Sequence, residues 1–287
     1  MSTKVWLSTH ERALDPEDAT ISVYDRGFLY GDSVYETLRT AGDRVIELDA
    51  HLDRLRRSAA GIAFDLPFEN EHIARALRET VAAAKNEDSR IRVIVTRGVG
   101  PIALDTRVAE APLLVIMVEP LVVPDAEAYE RGISAIVVGR EGSIRPGLKT
   151  GNYLGNILAL RRAHERGADD AILCNAEGAV AEGATSNFFM VVAGSIHTPS
   201  LSTGLLAGIT RGVVMRLLEQ ELGMPTCERT VLVEELRAAD ELFLTSSVRG
   251  IMPVTTLDGR SVGDGSAGPV TRRALEVYSE FLQGRAK

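Results

Sequence analysis

The sequence predicts an α+β fold in two domains, a smaller one over residues 1–120 and a larger one over residues 121–287. Three observations lead there. Strand-like and helix-like runs alternate through the first 120 residues. A stretch carrying Pro120 and Pro124, residues 119–125, then breaks the pattern as a linker would. Beyond it, short strands follow one another through tight turns, as in an antiparallel meander. A chain of 287 residues has room for two domains of roughly 150 residues each, and cores of that size need no disulfide or metal staple.

In the first domain, residues 44–48 read as a short strand, and Asp49 as the N-cap of a helix starting at Ala50. Leu52, Leu55, Ala59 and Ile62 continue that helix at helical spacing, and residues 71–85 repeat the pattern through Ile73, Leu77 and Val81. Residues 90–96 alternate Ile91, Val93 and Val95 with outward residues, as a half-buried strand does, and residues 113–118 form a more buried strand. In the second domain, residues 133–138 open as a strand. Residues 171–175 and 179–182 flank a turn, and residues 188–192 lead through Ala193-Gly194 into 195–197. Helices are expected over 152–166, closed by Gly167, and over 210–222, closed by Gly223.

The composition, 45% hydrophobic and 25% charged, is that of an ordinary soluble globular protein. A net charge of −8 with interspersed basic residues argues against a nucleic-acid surface. Residues 1–10 lack a charged segment followed by an apolar one, so no signal peptide is expected. The longest apolar runs are too short to span a bilayer. Cys174 and Cys227 fit no metal spacing and read as buried thiols, compatible with a cytoplasmic location. His51, His72 and His164 sit in charged helical surroundings and are expected at the surface, with no metal site; Trp6 and Phe64 read as packing residues.

Five places can carry chemistry. Lys149 ends a Pro/Gly loop just before an apolar helix, where partial desolvation would favour a nucleophilic amine; the plainer reading is a solvated loop lysine. Glu182 closes a strand before small residues, so it faces either a cavity or water. Gly208-Ile209-Thr210 starts a helix whose free N–H groups attract an anion, or it is a helix start without a ligand. Thr245-Ser246-Ser247 follows the strand 241–244 and is either a second anion clamp or a polar turn. Arg54 flanks the Leu52/Leu55 stripe and reaches either a cleft or solvent, where Asp53 or Asp49 would pair it.

Taken in order, these motifs resemble the class IV aminotransferases, the fold-type IV family that uses pyridoxal 5'-phosphate (PLP). The resemblance runs from Asp25-Arg-Gly-Phe-Leu-Tyr30-Gly31-Asp-Ser-Val-Tyr35-Glu36 through Asp258-Gly-Arg and Gly268-Pro-Val, and its most specific stretches are Lys149-Thr-Gly-Asn-Tyr-Leu, Glu182-Gly-Ala-Thr-Ser-Asn, Gly208-Ile-Thr-Arg and the hydroxyl cluster before Pro253. It implies a small α/β domain and a larger PLP-binding domain of antiparallel pseudo-barrel strands. It also implies a cytoplasmic homodimer acting on amino acids and 2-oxo acids. Lys149 would carry the cofactor as a Schiff base and shuttle the proton, and Glu182 would pair with the ring nitrogen. Arg54, Ile209, Thr210, Ser246 and Ser247 would hold the phosphate, and Tyr153 the phenolic oxygen.

For the substrate, the resemblance implies a pocket from Tyr30, Tyr35, Arg92, Arg97 and Val248. Arg92 matches the arginine of the branched-chain enzymes' Ile-Arg strand, although Arg90 stands where they place a tyrosine. Thr96-Arg97-Gly98 is similar to the D-amino-acid and lyase branches, yet Pro101-Ile-Ala-Leu104 lacks the Pro-Arg-x-His clamp of the D-amino-acid enzymes. The expected activity is transfer of an amino group between a hydrophobic or branched-chain amino acid and a 2-oxo acid such as 2-oxoglutarate. The alternatives are a D-amino-acid or (R)-amine transaminase, or an aminodeoxychorismate lyase.

Overall fold

In the computed structural model, which describes residues 2–140 and 147–286, the chain forms two units. One comprises Met1–Val122 with Leu148–Asn152, the other Val123–Gly147 with Tyr153–Lys287. Residues 144–146, part of the loop predicted before Lys149, lie outside the described residues.

In the first unit, β1 (Lys4–Leu7), β2 (Arg12–Leu14), α1 (Arg26–Tyr30), β3 (Ser33–Ala41), β4 (Arg44–Val45), α2 (Leu48–Gly61), α3 (Asn70–Ala84), β5 (Ser89–Thr96) and β6 (Leu113–Pro120) follow in order. The sheet order is β2-β1-β6-β5-β3-β4, each neighbouring pair antiparallel. Alternate residues of each strand share a face. Val34 and Leu38, Ile91 and Val93, and Leu114 and Ile116 therefore form one apolar face, which the Leu52/Leu55 stripe of α2 and Ile73 and Leu77 of α3 cover. Each such side chain contributes about 1.5–3 kcal/mol by leaving water. Trp6 and Phe64 pack in this core, as expected. The strand predicted over 44–48 stops at Val45, because the β3–β4 hairpin pairs only Thr40 with Val45 and Ala41 with Arg44. The chain then turns at Glu47, with φ of 51°, and α2 begins at Leu48, which leaves Asp49 in its first turn.

The second unit contains α4 (Ala126–Arg131), β7 (Ile133–Gly139), α5 (Leu154–Glu165), β8 (Asp170–Cys174), β9 (Val180–Gly183), β10 (Asn187–Val192), β11 (Ser195–Pro199), α6 (Ile209–Leu222), β12 (Thr226–Arg229), β13 (Glu241–Ser246), β14 (Gly250–Leu257), β15 (Arg260–Ser261) and α7 (Pro269–Leu282). Its sheet runs β12-β11-β10-β13-β14-β7-β8-β9, with β15 on β14. The expected antiparallel pairing holds for β8–β9, β10–β11, β10–β13 and β13–β14. The sheet as a whole is mixed: β7 runs parallel to β8 and β14, and β12 parallel to β11. Parallel neighbours need a crossover, which α5 supplies between β7 and β8. The N-terminus of α7 is capped from another element. The Glu241 carboxylate of β13 accepts the Val270 and Thr271 N–H groups at 2.9 and 2.7 Å. Of the cysteines, Cys174 is half-buried but Cys227 is exposed, because β12 lies at the sheet edge; both thiols are free. Among the described residues no helix is long and apolar enough to cross a membrane.

Candidate active site

Tyr35 and Glu36 are neighbours on β3 and so point to opposite faces of the first sheet. Glu36 falls on the apolar face, between Val34 and Leu38, where an unpaired carboxylate is costly. Two residues of α2, three positions apart, meet it. His51 donates from Nδ1 to Oε2 at 2.7 Å, and Arg54 donates from Nε to Oε1 at 2.7 Å and from Nη2 to Oε2 at 2.6 Å. Burial pushes the Glu36 carboxyl up, but the bonds from Arg54 and His51 outweigh it and bring it from an ordinary 4.5 to about 2. Burial holds the His51 imidazole below its usual value against the opposing pull of Glu36. His51, expected at the surface, is thus a buried neutral donor. Arg54 is buried as well, and its partner is Glu36 rather than Asp53 or Asp49.

On the opposite face of β3, the Tyr35 ring receives two cations. The Arg92 guanidinium lies 4.2 Å from the ring centroid, diagonal to it across the Thr37–Arg92 pair. The Lys149 Nζ lies 4.4 Å from the centroid and 3.5 Å from the hydroxyl. Backbone bonding puts Lys149 there. The Tyr35 N–H donates to the Lys149 carbonyl at 3.1 Å, the Gly151 N–H donates to Ser33 at 2.9 Å, and Thr150 bridges Val34. The segment extends the β3 edge beyond the reach of β4. The Lys149 N–H also donates to Ser58 Oγ at 3.2 Å, and Leu148 packs where a Cβ on Gly61 would stand 2.5 Å away. Lys149 is only 9% exposed, so the solvated-loop reading does not hold.

In the second unit, Glu182 on β9 is buried and accepts a bond from the Arg140 guanidinium, which also donates to the Gly204 carbonyl at 2.7 Å. The second Glu182 oxygen accepts the Leu206 N–H at 3.0 Å, and Asn187 Nδ2 donates to the Leu206 carbonyl at 2.8 Å. The loop entering α6 is therefore held by the same carboxylate. α6 starts behind Gly208, where no side chain caps the helix, and Thr210 in its first turn is buried. Ser246 ends β13, and Ser247 and Val248 occupy the turn to β14; all three are half-buried. Nearby in register, Thr245 faces Asn187 across the β10–β13 ladder. The Thr245 and Ser186 hydroxyls are buried with no hydrogen-bond partner among the described residues. Tyr153 is half-buried and directly precedes α5.

Among the predicted substrate residues, Tyr30 is half-buried and stacks with Arg26 at 5.1 Å. Arg97 bonds Asp32 from Nε at 2.9 Å, and its two terminal nitrogens donate to the Ala63 and Ile62 carbonyls at 3.1 and 2.9 Å. The guanidinium thereby braces the turn after α1 against the residues that follow α2. His72 is corrected, being half-buried and stacked on Phe68 at 6.0 Å; His164 is exposed. Sequence reasoning assigned no role to Glu36, His51 or Arg140. A charged residue at the apolar phase of a strand was the available signal for Glu36; Arg140 had none.

A family model described as amino-transferase class IV matches residues 33–257. A putative branched-chain-amino-acid aminotransferase of Methanocaldococcus jannaschii is 36% identical over 282 residues, covering 97% of this chain and 96% of that protein. A D-alanine aminotransferase of Staphylococcus haemolyticus is 33% identical, covering 99% of each. The crystal structure of the branched-chain amino acid aminotransferase from Thermobaculum terrenum in its PLP form superposes with a TM-score of 0.87 at 28% identity, covering 98% of this chain and 94% of that one.

Proposed function

The chain belongs to the class IV aminotransferases, PLP-dependent enzymes, and from that premise we propose that it moves an amino group between a hydrophobic or branched-chain amino acid and a 2-oxo acid such as 2-oxoglutarate. One observation carries the reading: a buried lysine amine held against the Tyr35 ring and hydroxyl. The donor set of the second unit supports the cofactor. It offers a buried carboxylate at Glu182, a helix start at Ile209–Thr210, and two buried hydroxyls, Ser186 and Thr245, with no partner among the described residues.

When bound, PLP supplies a protonated ring that withdraws electrons from the substrate α-carbon. Glu182, paired with Arg140, would hold the proton on the ring nitrogen. Lys149 would anchor the cofactor, and its Nζ would carry the α-proton off the amino donor in one half-reaction and supply the α-proton of the new amino acid in the other, as ping-pong kinetics require. Arg54, oriented by Glu36, would be a phosphate ligand, as would the first-turn amides of Ile209 and Thr210 and the Ser246 and Ser247 hydroxyls. Tyr153 would orient the phenolic oxygen. Arg92, whose Nε is buried with no partner among the described residues, would receive a substrate carboxylate, with Tyr35, Tyr30 and Val248 as the further substrate residues. The functional form is a homodimer. α5 presents Leu154 and Ile157, 66% and 59% exposed, on one face, and a second copy of the chain covers it.

The replacement Lys149→Ala abolishes the visible absorbance of the cofactor-loaded enzyme and nearly all transamination; an active variant refutes the assignment. The 33% identity to a D-alanine aminotransferase favours one second reading, D-amino-acid transamination. Oxo-acid formation from L-valine, D-alanine and an (R)-amine with 2-oxoglutarate separates these. Pyruvate released without any acceptor would indicate a lyase.

A further inference from the structure

We infer that Arg249 is a positioning residue for phosphate binding: its ion pair with the buried Asp170 locks the Ser246–Ser247–Val248 turn in shape. This rests on the proposed PLP reading. The turn joins β13 to β14, with Ser246 paired to Gly250 across the ladder, and its residues Ser246 to Arg249 are half-buried.

Arg249 ties the turn to three elements. Its guanidinium donates to Asp170 Oδ2 at 2.7 Å, at the first residue of β8. Its carbonyl accepts the Tyr129 hydroxyl of α4 at 2.7 Å. Its N–H donates to Ser246 Oγ at 3.3 Å. An oxygen that accepts this bond keeps its own O–H for another acceptor, so the last contact aims Ser246 as a donor. Asp170 needs the pair as much as the turn does. Its side chain is 3% exposed, and its other oxygen accepts the Ala171 N–H at 2.8 Å. A carboxylate buried that far requires a cation. β8 also pairs Leu173 with Glu182 of β9. One strand thereby references both the phosphate turn and the carboxylate assigned to the ring nitrogen.

Because Asp170 neutralises it, Arg249 acts by fixing geometry and adds no net charge for the phosphate. The test compares PLP with pyridoxal, which lacks the phosphate. Holoenzyme is resolved of cofactor, and dissociation constants for both compounds are measured for wild type, Arg249→Gln, Asp170→Asn, the double variant and Arg249→Lys. Either single change should weaken PLP by about tenfold or more, the scale of a charged hydrogen bond, with pyridoxal within about twofold of wild type. The double variant should be no worse than the singles. Arg249→Lys, which keeps a charge on Asp170 and preserves folding, should show the same selective loss in smaller measure. Equal weakening of PLP and pyridoxal, or none, overturns the inference. So does Asp170→Asn that binds PLP as well as wild type while Arg249→Gln does not, because Arg249 would then touch the phosphate directly. If wild type binds neither compound, the PLP reading itself fails, and the inference with it.

Discussion

Glu36, His51 and Arg54 illustrate how one buried charge organises its neighbours. Glu36 stands in the apolar phase of β3, so its ionised form survives only because α2 brings a guanidinium and an imidazole to both carboxylate oxygens. Removing one member of such a pair leaves an uncompensated charge. Glu36→Gln should therefore cost about 3–5 kcal/mol in denaturant unfolding; a loss below about 1 kcal/mol would mean that the pair is not buried in solution. The pH dependence has a definite sign. Glu36 drops from 4.5 to about 2 on folding, so its contribution is complete above 4.5 and disappears as the pH falls toward 2. His51 also has a lowered folded value, so its contribution is complete above 6.5 and fades on acidification below that. Stability should fall as the medium is acidified below about 6.5, more steeply below 4.5. Glu36→Gln should flatten the lower part of the curve of melting temperature against pH, and an unchanged acid limb would refute this account.

At the scale of elements, the loop from Gly204 to Gly208 shows how a helix start is aimed. Arg140, Glu182 and Asn187 bond its backbone at Gly204 and Leu206, and α6 follows at Ile209. A Cβ on Gly208 would stand 1.8 Å from Asn187 Oδ1. Gly208→Ala must therefore displace either that amide or the helix start. Its affinity for PLP should drop by about tenfold or more while α6 itself persists, because alanine is the better helix former. Titration of the variant with PLP, beside its far-UV circular dichroism, measures both; undiminished affinity would show that the close approach at Gly208 does not matter. The Lys149 segment depends on backbone in the same way. Its register on β3 is set by main-chain bonds at Tyr35 and Gly151, which side-chain patterns do not encode.

At the scale of the whole molecule, the exposed face of α5 bears on assembly. If a second copy covers it, Ile157→Glu should shift the sedimenting species from dimer to monomer, and an unaltered dimer would place the interface elsewhere. Helices with clear apolar periodicity were legible in the sequence. α3 runs over Asn70–Ala84 where 71–85 was expected, and α6 over Ile209–Leu222 where 210–222 was expected. Each such helix buries one stripe, and the stripe is written at 3.6-residue spacing. β5 and β6 were legible by their alternation. β3 was not, because Glu36 occupies a core phase and erases the alternation that marks a strand. Lys149, Glu182 and the Ile209–Thr210 helix start were proposed from motifs, since the chemistry assigned to them depends on residue type beside local turn signals. Only the tertiary structure decided which charges pair. It gave Arg54 to Glu36, Arg97 to Asp32 and two carbonyls, Arg140 to Glu182 and Arg249 to Asp170. Local patterns record how a segment meets water and its own next turn, whereas an ion pair between residues up to 79 apart depends on packing that brings both ends together.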